Sequence, residues 1–201
     1  MSDQFEQVNC AICHRNDTEV LIRGKGAAQI VKCRHDGLVY VNPRPKASEI
    51  REAHKQFVRH DNLQLFDRYR RNMLRREAEV VKSIKAGGSL LDIGCATGTF
   101  FENFDSGQWR RYGVDTSYVG VEIARRKYRA EVFCGTLAEA GFPKASFDVV
   151  SMLDALYYSP DPASELLEIR RILKDDGLLV LEIPGVHVQP LPESRAGLLG
   201  A

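Results

Sequence analysis

From residue 87 onward the chain alternates between short apolar runs and amphipathic stretches. The runs "SLLDIG", "RRYGVD", "AEVFCG", "FDVVSML" and "GLLVLEIP" read as strands. "SYVGVEIARRKY" and "PASELLEIRRILK" read as helices, and the spacing predicts another over 98–106. Strands with little polar alternation suit a sheet covered on both faces. Strand–helix alternation links them as right-handed βαβ units. The expected class is α/β, with a Rossmann-like, doubly wound, mostly parallel sheet over 87–184.

Upstream the pattern differs. Residues 46–86 read as a helical linker or cap, clearest in "RYRRNMLRREAEVVKSI", where Met73, Leu74, Val80, Val81 and Ile84 recur at helical spacing. Residues 1–45 carry short β-like runs, "AAQIVKC" and "GLVYVN", and close on "VNPRP". After Pro184, residues 185–201 show little pattern and read as an irregular tail.

Charge narrows the partners. Lys plus Arg number 28 and Asp plus Glu 27, giving a formal net charge of +1. Such a balance gives no general attraction to nucleic acid or to an anionic membrane. The basic stretch before Glu77 has no aromatic platform beside it and reads as a solvated helix face. No apolar run reaches the roughly 18 residues of a membrane span, and "MSDQFEQVNC" has no signal-peptide core. A cytoplasmic protein with reduced thiols is expected, so the five cysteines are read as metal ligands or core residues.

The first strand runs straight into a glycine turn, "LLDIGCATGTF". Ligands of open α/β sheets bind at the carboxyl ends of the strands. Gly94 and Gly98 let the backbone turn there and approach a ligand closely. The spacing is not the G-x-G-x-x-G of dinucleotide sites, and the Gly-Lys-Ser/Thr of a P-loop is absent. Two acids, Asp92 and Asp115, instead end the first two strands. A carboxylate at the second place can accept ribose hydroxyls, although "DTS" could equally cap a helix. The combination suits a ligand with a ribose and a cationic amino-acid part.

Residues 87–184 resemble the class I S-adenosylmethionine-dependent methyltransferases. "LLDIGCATGTF" is similar to the first motif of that family, with Ala96 where a glycine often stands, and "YGVDTS" to the second. "CGTLAEAGFPKASFDVV" and "SMLDALYYSPDPASELLEIRRILKDDGLLVLEIP" resemble the segments that follow. The resemblance implies that Asp92, Gly94, Ala96 and Gly98 line the methionine end of S-adenosyl-L-methionine, with Cys95 in the same turn. It implies that Asp115, with Thr116, holds the ribose, and that Thr136 and Leu137 border the adenine. Leu153 completes this set at the end of the fourth strand. The helical segment would cover the cofactor, and Tyr69 would reach its carboxylate end.

The loop "DALYYSPDP" is where acceptor chemistry is expected. Many relatives that resemble the chain carry Glu-His at Tyr157-Tyr158. A tyrosine, with an ordinary pKa near 10, is a weaker base than histidine. Tyr158 is expected to orient an acceptor or, with Tyr157, to wall its pocket, and Asp154 is the other catalytic candidate.

"CAICH" sets Cys10 and Cys13 at knuckle spacing, and Cys33 follows after 19 intervening residues. This reads as a zinc-ribbon-like segment over 1–45, and it resembles the ribbon found before some methyltransferases. Asp36 stands where those relatives have a fourth cysteine. Three thiolates with Asp36 or His35 are expected to hold a structural Zn²⁺, and a ribbon without metal is the alternative.

Five strands precede Pro184, two fewer than the class I sheet, so either the chain is a piece of a longer one or a second copy or partner completes the sheet. Two functions follow. One is methyl transfer to a small-molecule acceptor. The other is a non-catalytic scaffold with a relic methyltransferase fold and a ribbon that docks a partner.

Overall fold

The computed structural model describes residues 4–24, 27–50, 52 and 60–183, with side chains of the long helix described from residue 68. The expected tail therefore lies outside the described residues, as does most of 51–59.

Apolar residues buried on both pleat faces build a five-stranded parallel sheet. Its strands are β6 (Gly88–Ile93), β7 (Trp109–Asp115), β8 (Glu131–Cys134), β9 (Phe147–Leu153) and β10 (Leu173–Glu182), in the order β10-β9-β6-β7-β8. This is the doubly wound α/β arrangement that the alternation predicts. Adjacent residues take opposite sides: Leu90 and Val149 join one core, Leu91 and Val150 the other. The first core packs under α1 (His60–Ile84) and α2 (Tyr118–Tyr128), through Leu74, Ala78, Val81, Val121 and Ala124. The second packs under α3 (Leu137–Ala140) and α4 (Pro162–Ile172), through Leu137, Ile169 and Ile172. Chain reversal at β6 places the turn after Ile93 at the centre of the sheet's carboxyl edge.

Two elements differ from the pattern-based reading. The helix expected over 98–106 is a short 3-10 segment, Thr99–Asn103. Its backbone bonds run three residues back, Phe101 N–H to Gly98 O and Phe104 N–H to Phe101 O. The Asp105–Trp109 turn then ends it, with the Phe104 ring edge-on to Trp109 at 5.1 Å. The last helix stops at Ile172 and not at Lys174. Leu173 is buried in the second core, and Lys174 Nζ reaches both carboxylate oxygens of Asp148 at 2.8 and 2.9 Å. These contacts draw the chain into β10 early, with a register shift between Leu173 and Leu178.

Ahead of the sheet, β2 (Thr18–Arg23), β3 (Gln29–Cys33) and β4 (Val39–Val41) form an antiparallel sheet, and β1 (Phe5–Glu6) pairs with β5 (Arg44–Pro45). Among the described residues of this N-terminal segment, Cys10, Val31 and Cys33 are the buried apolar ones. So small a core suits a segment that needs a further cross-link.

Candidate functional site

The turn after β6 is built on left-handed backbone. Gly94 and Gly98 have φ of 74° and 76°, a region that penalises any side chain. A Cβ on Gly94 would also stand 2.8 Å from the Ala155 Cβ. Ala96 adopts φ 47° as well. Its N–H donates to Asp115 Oδ2 at 2.8 Å, which holds the strained residue in place. The other Asp115 oxygen accepts the Ser117 N–H at 2.7 Å, and the Ser117 hydroxyl caps α2. Asp115 thus ties the two turns together, and Ser117, not Asp115, is the helix cap. Thr116 beside it is exposed.

Asp92 is buried and accepts the Ser151 hydroxyl at 2.7 Å. Burial pushes its carboxyl up to about 7, against the opposing effects of the Ser151 hydroxyl and the Arg70 charge. Arg70 donates from Nη2 to Glu182 Oε2 at 3.2 Å, across the end of β10. The helix therefore presents Arg70 to the carboxyl edge of the sheet, whereas Tyr69, the residue the resemblance singles out, is 87% exposed. The basic pattern of this stretch predicts a solvated face for Arg70, and the structure instead leaves its side chain largely covered. Its helical register with the core residues Leu74, Ala78 and Val81 was the signal available.

The remaining candidates divide into edge residues and core residues. Asp154 has φ 62° and donates its N–H to Glu182 O at 3.1 Å. The Tyr157 and Tyr158 rings lie 4.2 Å apart between centroids, and both are about half exposed. Burial and a hydrogen bond with Tyr158 push the Tyr157 hydroxyl far above its ordinary pKa, which keeps it in its neutral form. Thr136 is exposed and forms a capping box with Glu139. Leu137, Leu153 and Cys95 are buried in the two cores, and burial raises the Cys95 thiol well above its usual range. Cys95 is thus an apolar filler, not a thiolate.

In the N-terminal segment, ligand atoms of Cys10, Cys13, Cys33 and Asp36 all lie within 4.8 Å of one another. Cys10 Sγ donates to Asp36 Oδ2 at 3.1 Å, and the Cys13 and Cys33 sulfurs are 3.5 Å apart. Tetrahedral zinc with Zn–S bonds near 2.3 Å needs donors about 3.8 Å apart, so this set fits such an ion. Of the two residues considered for the fourth place, the structure brings in Asp36 and leaves His35 out.

Residues 59–198 match the family model described as a methyltransferase domain. The chain belongs to this family. Among relatives of the methyltransferase-domain chain, an uncharacterised Methanocaldococcus jannaschii protein is 30% identical over 126 residues, 61% of this chain and 48% of that one. The 27-O-demethylrifamycin SV methyltransferase of Amycolatopsis mediterranei is 33% identical over 106 residues, 49% of this chain and 39% of the enzyme. The chain thus spans about half, or less, of the length of these relatives. A Methanococcus maripaludis structure, described as a candidate S-adenosyl-L-methionine-dependent methyltransferase, superimposes with a TM-score of 0.51 at 19% identity. It covers 60% of this chain and 62% of its own, and the likeness is one of fold. Among the described residues no helix is long and apolar enough to cross a membrane.

Proposed function

We propose that the chain binds S-adenosyl-L-methionine at the carboxyl edge of β6, β7 and β9 and takes part in methyl transfer to a small-molecule acceptor. The observation that carries this reading is the pairing of the left-handed Gly94–Gly98 turn with two buried carboxylates, Asp92 and Asp115. A ribose needs acceptors and a cationic amino-acid part needs negative charge. An acidic edge serves both and disfavours a pyrophosphate. The cofactor supplies an electrophilic methyl group on a sulfonium.

The residues divide the remaining tasks. Asp115 accepts ribose hydroxyls, with Thr116 alongside, while it keeps Ala96 in its left-handed turn. Asp92, Gly94, Cys95, Ala96, Gly98 and Leu153 shape the methionine side, and Thr136 and Leu137 border the base. The Arg70 charge favours the ionised form of Asp92, and we assign Arg70, in place of Tyr69, to the cofactor's carboxylate end. Asp154, Tyr157 and Tyr158 face the acceptor. A Tyr157 hydroxyl held in its neutral form orients an acceptor by donating a hydrogen bond. This favours acceptors that are nucleophilic without losing a proton to Tyr157. The small-molecule class follows the rifamycin-related relative by analogy.

We assign the Cys10, Cys13, Cys33 and Asp36 cluster to a structural Zn²⁺, with three thiolates and one carboxylate as its ligands. Calorimetric titration of the chain with S-adenosylhomocysteine tests the cofactor reading. Micromolar binding is expected. No binding to a folded chain would favour the relic-scaffold alternative.

A further inference from the structure

The "VNPRP" segment makes bonds that neither the cofactor site nor the cysteine cluster uses. Asn42 is 4% exposed. Its side-chain oxygen accepts the Val8 N–H at 2.9 Å, and its side-chain amide donates to Asn16 Oδ1 at 3.3 Å. Its own N–H donates to Gln29 O at 2.9 Å. Asn42 therefore gathers both flanks of the Cys10–Cys13 knuckle onto β3. Two residues later, Arg44 lies opposite Glu6 in the β1–β5 pair. Its Nε donates to Glu6 Oε1 at 2.9 Å. The same guanidinium donates from Nη2 to Pro160 O, also at 2.9 Å, across 116 residues of sequence.

Pro160 lies two residues after Tyr158 and directly before Asp161, whose side chain caps α4. The arginine thus grips the loop that carries Asp154, Tyr157 and Tyr158. A planar guanidinium can hold a carboxylate on one edge and a carbonyl on another, in a fixed relation.

We infer that Arg44 is a positioning residue that docks the N-terminal segment onto the loop after β9, so that this segment walls the acceptor side of the site. The acceptor role of the loop rests on the methyltransferase reading; the docking does not. Asn42 holds the flanks of the cysteine knuckle and Arg44, two residues on, holds Pro160, so the ribbon and the acceptor loop are ordered together.

Hydrogen exchange followed by mass spectrometry on the full chain tests this. Tyr158 N–H donates to Ala155 O and Ser159 N–H to Leu156 O, and these amides report loop opening. In Arg44→Ala, exchange across 154–161 is expected to quicken on the order of tenfold, with β6–β9 amides unchanged. Arg44→Lys, which keeps the charge but offers one donor group at one point, is expected to fall between Ala and wild type. Loop exchange equal to wild type in Arg44→Ala overturns the docking. So does a rise shared equally by the sheet. Should Arg44→Ala fail to fold, Arg44→Lys carries the test: faster exchange confined to the loop supports the docking, and unchanged exchange overturns it. S-adenosylhomocysteine titration of the same proteins separates the two readings. Wild type that fails to bind sinks the cofactor assignment and leaves the loop measurement standing, whereas unchanged loop exchange with intact binding sinks the docking alone.

Discussion

At Asp115, one carboxylate has two duties. It holds the Ala96 and Ser117 amides in the structure, and the cofactor reading adds ribose hydroxyls. Asp115→Ala is expected to weaken S-adenosylhomocysteine binding by roughly 1–3 kcal/mol, because paired groups lose their acceptor. Unchanged affinity by calorimetry would remove Asp115 from the ribose. Asp92 makes a different prediction. Its folded carboxyl is raised from an ordinary 3.8 to about 7, chiefly by burial. The folded chain therefore holds this proton more tightly than the unfolded chain. The stability tied to Asp92 is fully present below 3.8 and is lost as pH rises through about 7. Asp92→Asn removes that slope. The fall in unfolding free energy between about pH 5 and pH 8 is expected to be shallower in the variant, by on the order of 2 kcal/mol. Parallel urea titrations at the two pH values check it, and identical slopes would mean that Asp92 is ionised throughout.

Among the elements, the cysteine knuckles and the turn after β6 show different ways of fixing a loop. The turn is held by covalent permissiveness at Gly94 and Gly98 and by the Asp115 carboxylate. The knuckles have a small core and four convergent donors, so a metal would contribute much of their stability. Cys10→Ser is expected to lower the zinc content of the purified protein from about one equivalent to well below half, since a structural site needs all four ligands. It is also expected to speed amide exchange in β2–β4. Equal zinc in variant and wild type, measured by mass spectrometry of the metal, would remove this role from the cluster.

Across the whole molecule, stability resides in two apolar layers on either face of one sheet. Trp109 opens β7, is 2% exposed and packs edge-on against Phe104 at 5.1 Å. It joins the 3-10 segment to the sheet, far from the carboxyl edge. Trp109→Ala is expected to cost about 3–5 kcal/mol of unfolding free energy, read from urea midpoints. Because the proposed site lies at the other edge, affinity for S-adenosylhomocysteine should change little wherever the variant remains folded. A large loss of affinity in a folded variant would mean that the two edges are coupled.

The residues of the sheet carried their own signal. Runs such as "LLDI" and "FDVVSML" are apolar on both faces, and only a doubly covered parallel strand buries both. Glycines at 94 and 98, acids at 92 and 115 and cysteines at 10, 13 and 33 also stand out by type and spacing, and the structure brings the three cysteines together. Four things were decided by tertiary packing. The segment after Gly98 became a 3-10 turn because its phenylalanines and the Asp105 turn set its path. Arg70 met Glu182 at the end of β10, while Tyr69 stayed exposed, because helix rotation is set by which residues reach the core. Asp36, not His35, joined the thiols, and Arg44 met Pro160, because such pairings depend on where two distant segments touch. Local pattern determines what each segment can do; only the packed chain determines which polar group finds which partner.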